Sequence, residues 1–124
     1  MDAYIIVTNN PLAEAEYPQI TEFVSSCAGD VLVRVRDRIH MGAKLINHPL
    51  SGGVLPGISP YKSLIISAPG KGGSKKTDHT SLQLIENAIR QHKENPSGFE
   101  GYDKSTLEDF MIIDLDMLNS ALKR

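Results

Sequence analysis

The sequence predicts an α/β fold, a three-layer sandwich built on a small parallel or mixed sheet of about four strands with helices on both faces. Three observations carry this expectation. Short, largely apolar runs, AYIIV at 3–7 and YKSLIIS at 61–67, read as strands buried on both sides. Stretches with apolar residues at helical spacing alternate with them, most clearly TSLQLIENAIRQ. Proline- and glycine-rich breaks punctuate the alternation at TNNP, HPLSGGVLPGISP and NPSGFEGYD. The chain has 124 residues, no internal repeat and no linker that divides it, so residues 1–124 are expected to form a single domain.

Taken in order, 3–7 is the first strand, and TNNP after it makes a turn because Asn caps turns and Pro fixes the chain. Ile20, Phe23, Val24 and Cys27 lie at helical intervals and predict a helix over 18–27, ended by Gly29. The next segment is two-sided. Val31, Val33 and Val35 alternate as in a strand, whereas Val31, Leu32, Val35 and Ile39 share one helix face. Asp30 as N-cap and Gly42 beyond the C-terminus favour a helix over 31–41. AKLIN, 43–47, then reads as a short strand stopped by His48-Pro49, and 48–60 as a connector without periodicity. After the strand at 61–67, Leu82, Ile85, Ala88 and Ile89 mark an amphipathic helix over 79–94. FMIID, 110–114, reads as a last strand, followed by a short C-terminal helix with its basic residues at the favourable end.

Composition narrows the function. A net charge of −2 supplies no global attraction for nucleic acid or anionic membranes, and the absence of Trp leaves few stacking platforms for single strands. Neither nucleic acid nor membrane is an expected partner. The one cysteine, Cys27, permits neither an internal disulfide nor a thiolate metal cluster within one chain, and it sits on an apolar face as a packed residue. No secretory leader and no bilayer-spanning run is read, so a reducing, cytoplasmic location is expected.

The segment SAPGKGGSKKTD, 67–78, stands between a strand and a helix as phosphate-binding loops do. Gly70, Lys76 and Thr77 have the right offsets, and FMIID imitates the strand whose aspartate helps hold magnesium. Lys75, however, occupies the position of the second glycine, where a side chain obstructs the wrap of backbone N–H groups around a phosphate. A solvated lysine–glycine loop is the expectation, with a phosphate or nucleotide module using 70–77 as an alternative.

Ligands of open α/β sheets sit beyond the carboxyl ends of the strands. Asn9 and Asn10 follow the first strand there, and His48 follows the second. Ser51, Gly52 and Gly53 could offer backbone N–H groups to an anion, while Tyr61 and Lys62 add a phenol and an ammonium. These eight residues form the candidate pocket for a small anionic metabolite. No nucleophile–base pair, metal-ligand spacing or cofactor motif is complete, so no catalytic residue, metal or cofactor is assigned. A small enzyme using His48 as general acid or base is the alternative. Arg34 and Arg38 in RVRDR share a helix face and read as solvated charge.

The strings YIIVTNNPL, VRDRIHMGAKLINHPLSGGVLPGISPYKS and SLQLIENAI together resemble the GrdX family, small proteins encoded alongside the glycine reductase complex. The resemblance covers most of residues 3–92, and the middle string is its most specific part. It implies a place in the selenium-dependent reduction of glycine, sarcosine or betaine in amino-acid fermentation, and it implies no catalytic residues. Glycine reductase components are the partners it suggests, and the leading expectation is a non-catalytic accessory or small-ligand-binding protein. A homodimer is the expected oligomer, two-fold dimers being the commonest.

Overall fold

The computed structural model describes residues 3–49, 59–68, 76–96 and 98–122. β1 (Tyr4–Thr8) is the middle strand of a sheet ordered β2-β1-β3. β2 (Thr21–Phe23) runs parallel to it and β3 (Ser63–Ser67) antiparallel, with Ile6 opposite Ile65 and Thr8 opposite Ser63. Because side chains alternate along a strand, β1 and β3 send their apolar residues to two different cores. Val7, Leu64 and Ile66 pack against Val31, Leu32, Val35 and Ile39 of α2 (Ala28–His40) and Ile85, Ala88 and Ile89 of α3 (His79–Glu94). Ile6 and Ile65 pack against Ala13 of α1 (Pro11–Glu16) and Leu118 of α4 (Lys104–Leu122). The chain is thus an α/β fold of helices with a small mixed sheet. Each fully buried Ile or Leu contributes roughly 1.5–3 kcal/mol of transfer free energy.

The helix ends show how the local sequence sets the elements. Asn10 caps α1, its side chain accepting the Leu12 N–H at 3.0 Å, with Pro11 in the first helical position. α2 stops where Gly42 takes φ 107°: the Gly42 N–H donates to Ile39 O and the Ala43 N–H to Arg38 O, the paired bonds of a Schellman end. Asp78 caps α3 by accepting from the Ser81 N–H at 3.0 Å and the Ser81 hydroxyl at 2.6 Å.

Helices over 31–41 and 79–94 and strands over 3–7 and 61–67 are found within a few residues of their expected places. Three expectations are corrected. Residues 18–27 hold no helix but the strand β2, recruited by parallel pairing with β1, a partner the local spacing does not reveal. FMIID, 110–114, lies inside α4; its apolar run wraps around a helix, leaving Ile112 and Ile113 outside. The sheet has three strands among the described residues, against about four expected from the pattern of apolar runs. AKLIN comes nearest to a fourth. It lies antiparallel along the edge of β3, with Ile46 N–H to Ile65 O at 2.8 Å, but makes a single bridge, Leu45 with Ile66.

Candidate functional site

β1 and β2 end at Thr8 and Phe23, and the chain that leaves them, together with the segment entering β3, brings polar side chains to one end of the sheet. Asn9 ties three segments together there. Its amide donates to Ser26 O at 3.0 Å and Pro60 O at 2.9 Å, and its oxygen accepts the Lys62 N–H at 2.9 Å. Asn10, fully buried, donates to Met111 O at 2.9 Å and Asp114 Oδ2 at 3.0 Å. Both amides therefore have their two protons committed within the fold.

Beneath them runs a directed chain of hydrogen bonds. The Asn10 N–H donates to Thr8 Oγ1 at 3.0 Å, Thr8 and Ser63 hydroxyls share a bond of 2.6 Å, and the Ser63 hydroxyl donates to Asp114 Oδ2 at 2.6 Å. Asp114 is 5% exposed and projects from α4, so this network pins the helix to the sheet. Burial raises the Asp114 carboxyl above its ordinary range, more than the bonds from Ser63 and Asn10 and the charge of Lys62 lower it.

Lys62 is the other charged group at this end. Its backbone is fixed by reciprocal bonds with Asn9, and its ammonium donates to Pro49 O at 2.8 Å. Burial lowers its pKa, and Asp114, within Coulombic reach but not in an ion pair, offsets that only in part. His92 in the last turn of α3 is half-buried; burial and then the Lys62 charge lower its pKa, against a smaller opposite pull from Asp30. Its ring lies over Gly29 of α2, where a β-carbon would come within 2.7 Å of Nε2. The Lys62 ammonium is therefore within Coulombic reach of a buried carboxylate, Asp114, on one side and of the His92 ring on the other. Such a group can attract an anion and adjust its charge on binding.

The other expected pocket residues are distributed as follows. His48 is exposed and precedes Pro49, whose carbonyl receives Lys62, so 48–49 and Lys62 are brought together. Tyr61 is buried with its ring 5.4 Å from that of Phe99. Ser51, Gly52 and Gly53 lie outside the described residues, as do 70–75 of the lysine–glycine loop. Thr77 does not open α3, whose cap is Asp78, and the aspartate that imitated a magnesium strand is helical Asp114. The arginines of RVRDR are engaged on the surface: Glu22 takes Arg34 at 2.6 Å and Arg38 at 2.8 Å, and Glu86 takes Arg36 at 3.4 Å. Among the described residues no three His, Cys, Asp or Glu side chains are grouped to hold a metal, and no helix is long and apolar enough to cross a membrane.

Thr8, Ser63, Asp114 and His92 were not legible as site residues. The available signal was an acid embedded in an apolar helical run, FMIIDL, since a carboxylate on a buried helix face needs partners. Neither a curated protein nor a solved structure matches the chain. The family described as GrdX-like protein matches it over residues 5–123, nearly its whole length and including most of β1, Lys62 and α4. The middle string that suggested the resemblance lies inside that match, and the chain belongs to the GrdX-like family.

Proposed function

We propose that this protein binds a small anionic metabolite through the Lys62 ammonium and acts as a non-catalytic accessory protein in glycine reductase metabolism. The observation that supports the binding most directly is the state of Lys62. An ammonium has three protons to donate, and among the described residues this one has a single acceptor, Pro49 O. It is half-buried, and its pKa is lowered because Asp114 does not make good the loss of water. A carboxylate or phosphate oxygen beside it would supply the missing acceptor and charge.

In this reading Asn9 and Asn10 are the scaffold that aims Lys62, through the Lys62 N–H bond and the Asp114 network. His48, which precedes the Pro49 whose carbonyl takes the ammonium, belongs to the same site in this reading. The link to glycine reductase rests on the family. Glycine, sarcosine and betaine all carry a carboxylate that an ammonium can hold, which makes them the first ligands to test.

Titration calorimetry with glycine, sarcosine, betaine and inorganic phosphate, on wild type and Lys62→Met, tests the binding. Saturable heat from at least one of them, lost in the variant, is expected. No heat from any, or equal binding by both proteins, would overturn it. Turnover of a bound metabolite by the purified protein would instead make it an enzyme. The accessory role is tested by affinity capture from cells grown on glycine: reductase subunits should be recovered with the tagged protein, and their absence would contradict the role.

A further inference from the structure

We infer that the outer face of α4 is a docking surface for another protein, one that presents apolar side chains flanked by lysine or arginine. Ser105, Asp109, Ile112, Ile113, Asp116 and Ser120 are all exposed and follow one another at helical spacing, forming one stripe along α4. At its middle Ile112 is 56% and Ile113 43% exposed. Two adjacent isoleucines so far out of the core are not needed to hold α4, which is fixed from its other side by Leu118 and the Asp114 network. Asp109 lies one turn before the pair and Asp116 one turn after it, about 10 Å apart along the axis, and exposed Glu108 adds a third acid.

The charge pattern decides what can cover the isoleucines. The stripe reads Asp-x-x-Ile-Ile-x-x-Asp, symmetric about its centre. If two copies paired antiparallel across it, Asp109 would face the other copy's Asp116 twice over. Parallel pairing would set each acid against its own equivalent. Either two-fold arrangement buries the apolar pair only by bringing like charges together at neutral pH. Nor does the chain's densest basic cluster offer the complement, since Arg34 and Arg38 are held by Glu22 and Arg36 by Glu86. The acids likewise disfavour an anionic membrane. A basic, apolar-centred segment of a different protein satisfies both the isoleucines and the acids.

This surface is independent of the proposed anion site, and the test keeps the two apart. The probe is a labelled helical peptide of about 20 residues with central leucines flanked by lysines one turn either side, titrated with the full chain and read by fluorescence anisotropy. A control peptide carries glutamate in place of the lysines. Saturable binding of the basic peptide alone is expected, weakening in high salt. Ile112→Ser with Ile113→Ser, and separately Asp109→Lys with Asp116→Lys, should each weaken it about tenfold or more. Lys62→Met should bind as wild type does, and circular dichroism should show all variants folded. Equal binding of both peptides, binding unaffected by either pair of substitutions, or no binding would overturn the inference. A neutral-pH dimer in sedimentation that the Ile112→Ser, Ile113→Ser variant abolishes would overturn it too.

Discussion

Replacing Asp114 by alanine and by asparagine should have unequal consequences, because one change removes the acceptor and the other removes only the charge. The carboxylate receives the Ser63 hydroxyl at 2.6 Å and an Asn10 amide proton at 3.0 Å. Bonds to a charged acceptor are worth roughly 1.5–3 kcal/mol each. One compensation reduces the loss in Asp114→Ala: the cost of keeping a carboxylate out of water disappears. Turning the Ser63 hydroxyl to Thr8 Oγ1, 2.6 Å away, only passes the orphaned proton to Thr8. A net destabilisation of about 2–4 kcal/mol remains, chiefly from a buried Asn10 N–H and a buried hydroxyl without acceptors and the space left beneath α4. Asp114→Asn keeps an oxygen for both donors and should change stability by less than about 1 kcal/mol near the ordinary carboxylate pKa.

The pH dependence separates the two further. Burial raises the folded-state pKa of Asp114, so the folded protein holds this proton more tightly than the unfolded chain does. The contribution is fully present below the ordinary carboxylate value and is lost as pH rises through the raised value. Asp114→Asn lacks that loss, so its stability relative to wild type should grow as pH rises. Urea unfolding of the three proteins across a pH series measures both effects. A cost below about 0.5 kcal/mol for Asp114→Ala, or a wild-type-to-Asn difference that does not change with pH, would refute the network as described.

Other substitutions probe the surroundings. Gly29→Ala places a β-carbon 2.7 Å from His92 Nε2, so the ring must turn away. With burial relieved, the lowered His92 pKa should return toward its ordinary value, as an NMR titration of the ring would register. At Glu22, burial acts to raise the pKa, but the hydrogen bonds and charges of Arg38 and Arg34 together outweigh it and hold the carboxyl low. Its stabilisation is therefore present above the ordinary carboxylate value and lost as pH falls through the lowered one. Glu22→Gln should cost about 0.5–1 kcal/mol at neutral pH after screening by solvent, less in high salt, measured by denaturant unfolding. Ile65→Ala, at a position 1% exposed in the core beneath α1 and α4, should cost about 2–5 kcal/mol in the same assay.

Where the sequence was legible, local chemistry and packing agreed. α2 and α3 have five and three buried aliphatic or alanine positions at helical spacing, and α2 ends at the glycine its sequence provides. β1 and β3 are largely buried runs, and their composition says so. The misreadings come from segments whose state is set at a distance. Ile20, Phe23, Val24 and Cys27 fit a helix in isolation, yet Ile20 O and the Val24 N–H are bound to Ile6 and Thr8 of β1. Gly29 suits a helix stop by sequence but lies inside α2, where it makes room for the His92 ring of α3. At the site, Asn9, Asn10 and Lys62 could be named because they adjoin strand ends. Asp114 and His92 could not, because they reach the same place from helices 50 and 30 residues away or more in sequence.

Thermal unfolding of wild type and Lys62→Met side by side, without and with glycine, sarcosine, betaine or phosphate, tests the central claim most directly. Relief of a half-buried ammonium offsets the loss of its bond to Pro49 O, so the free variant should unfold within about 1 kcal/mol of wild type. Only wild type should then gain stability with an anion, by about 2.7 kcal/mol at a hundredfold excess over Kd. A Lys62→Met protein that melts well below wild type without ligand, and a wild type that no anion stabilises, would show Lys62 to be a structural residue and contradict the account.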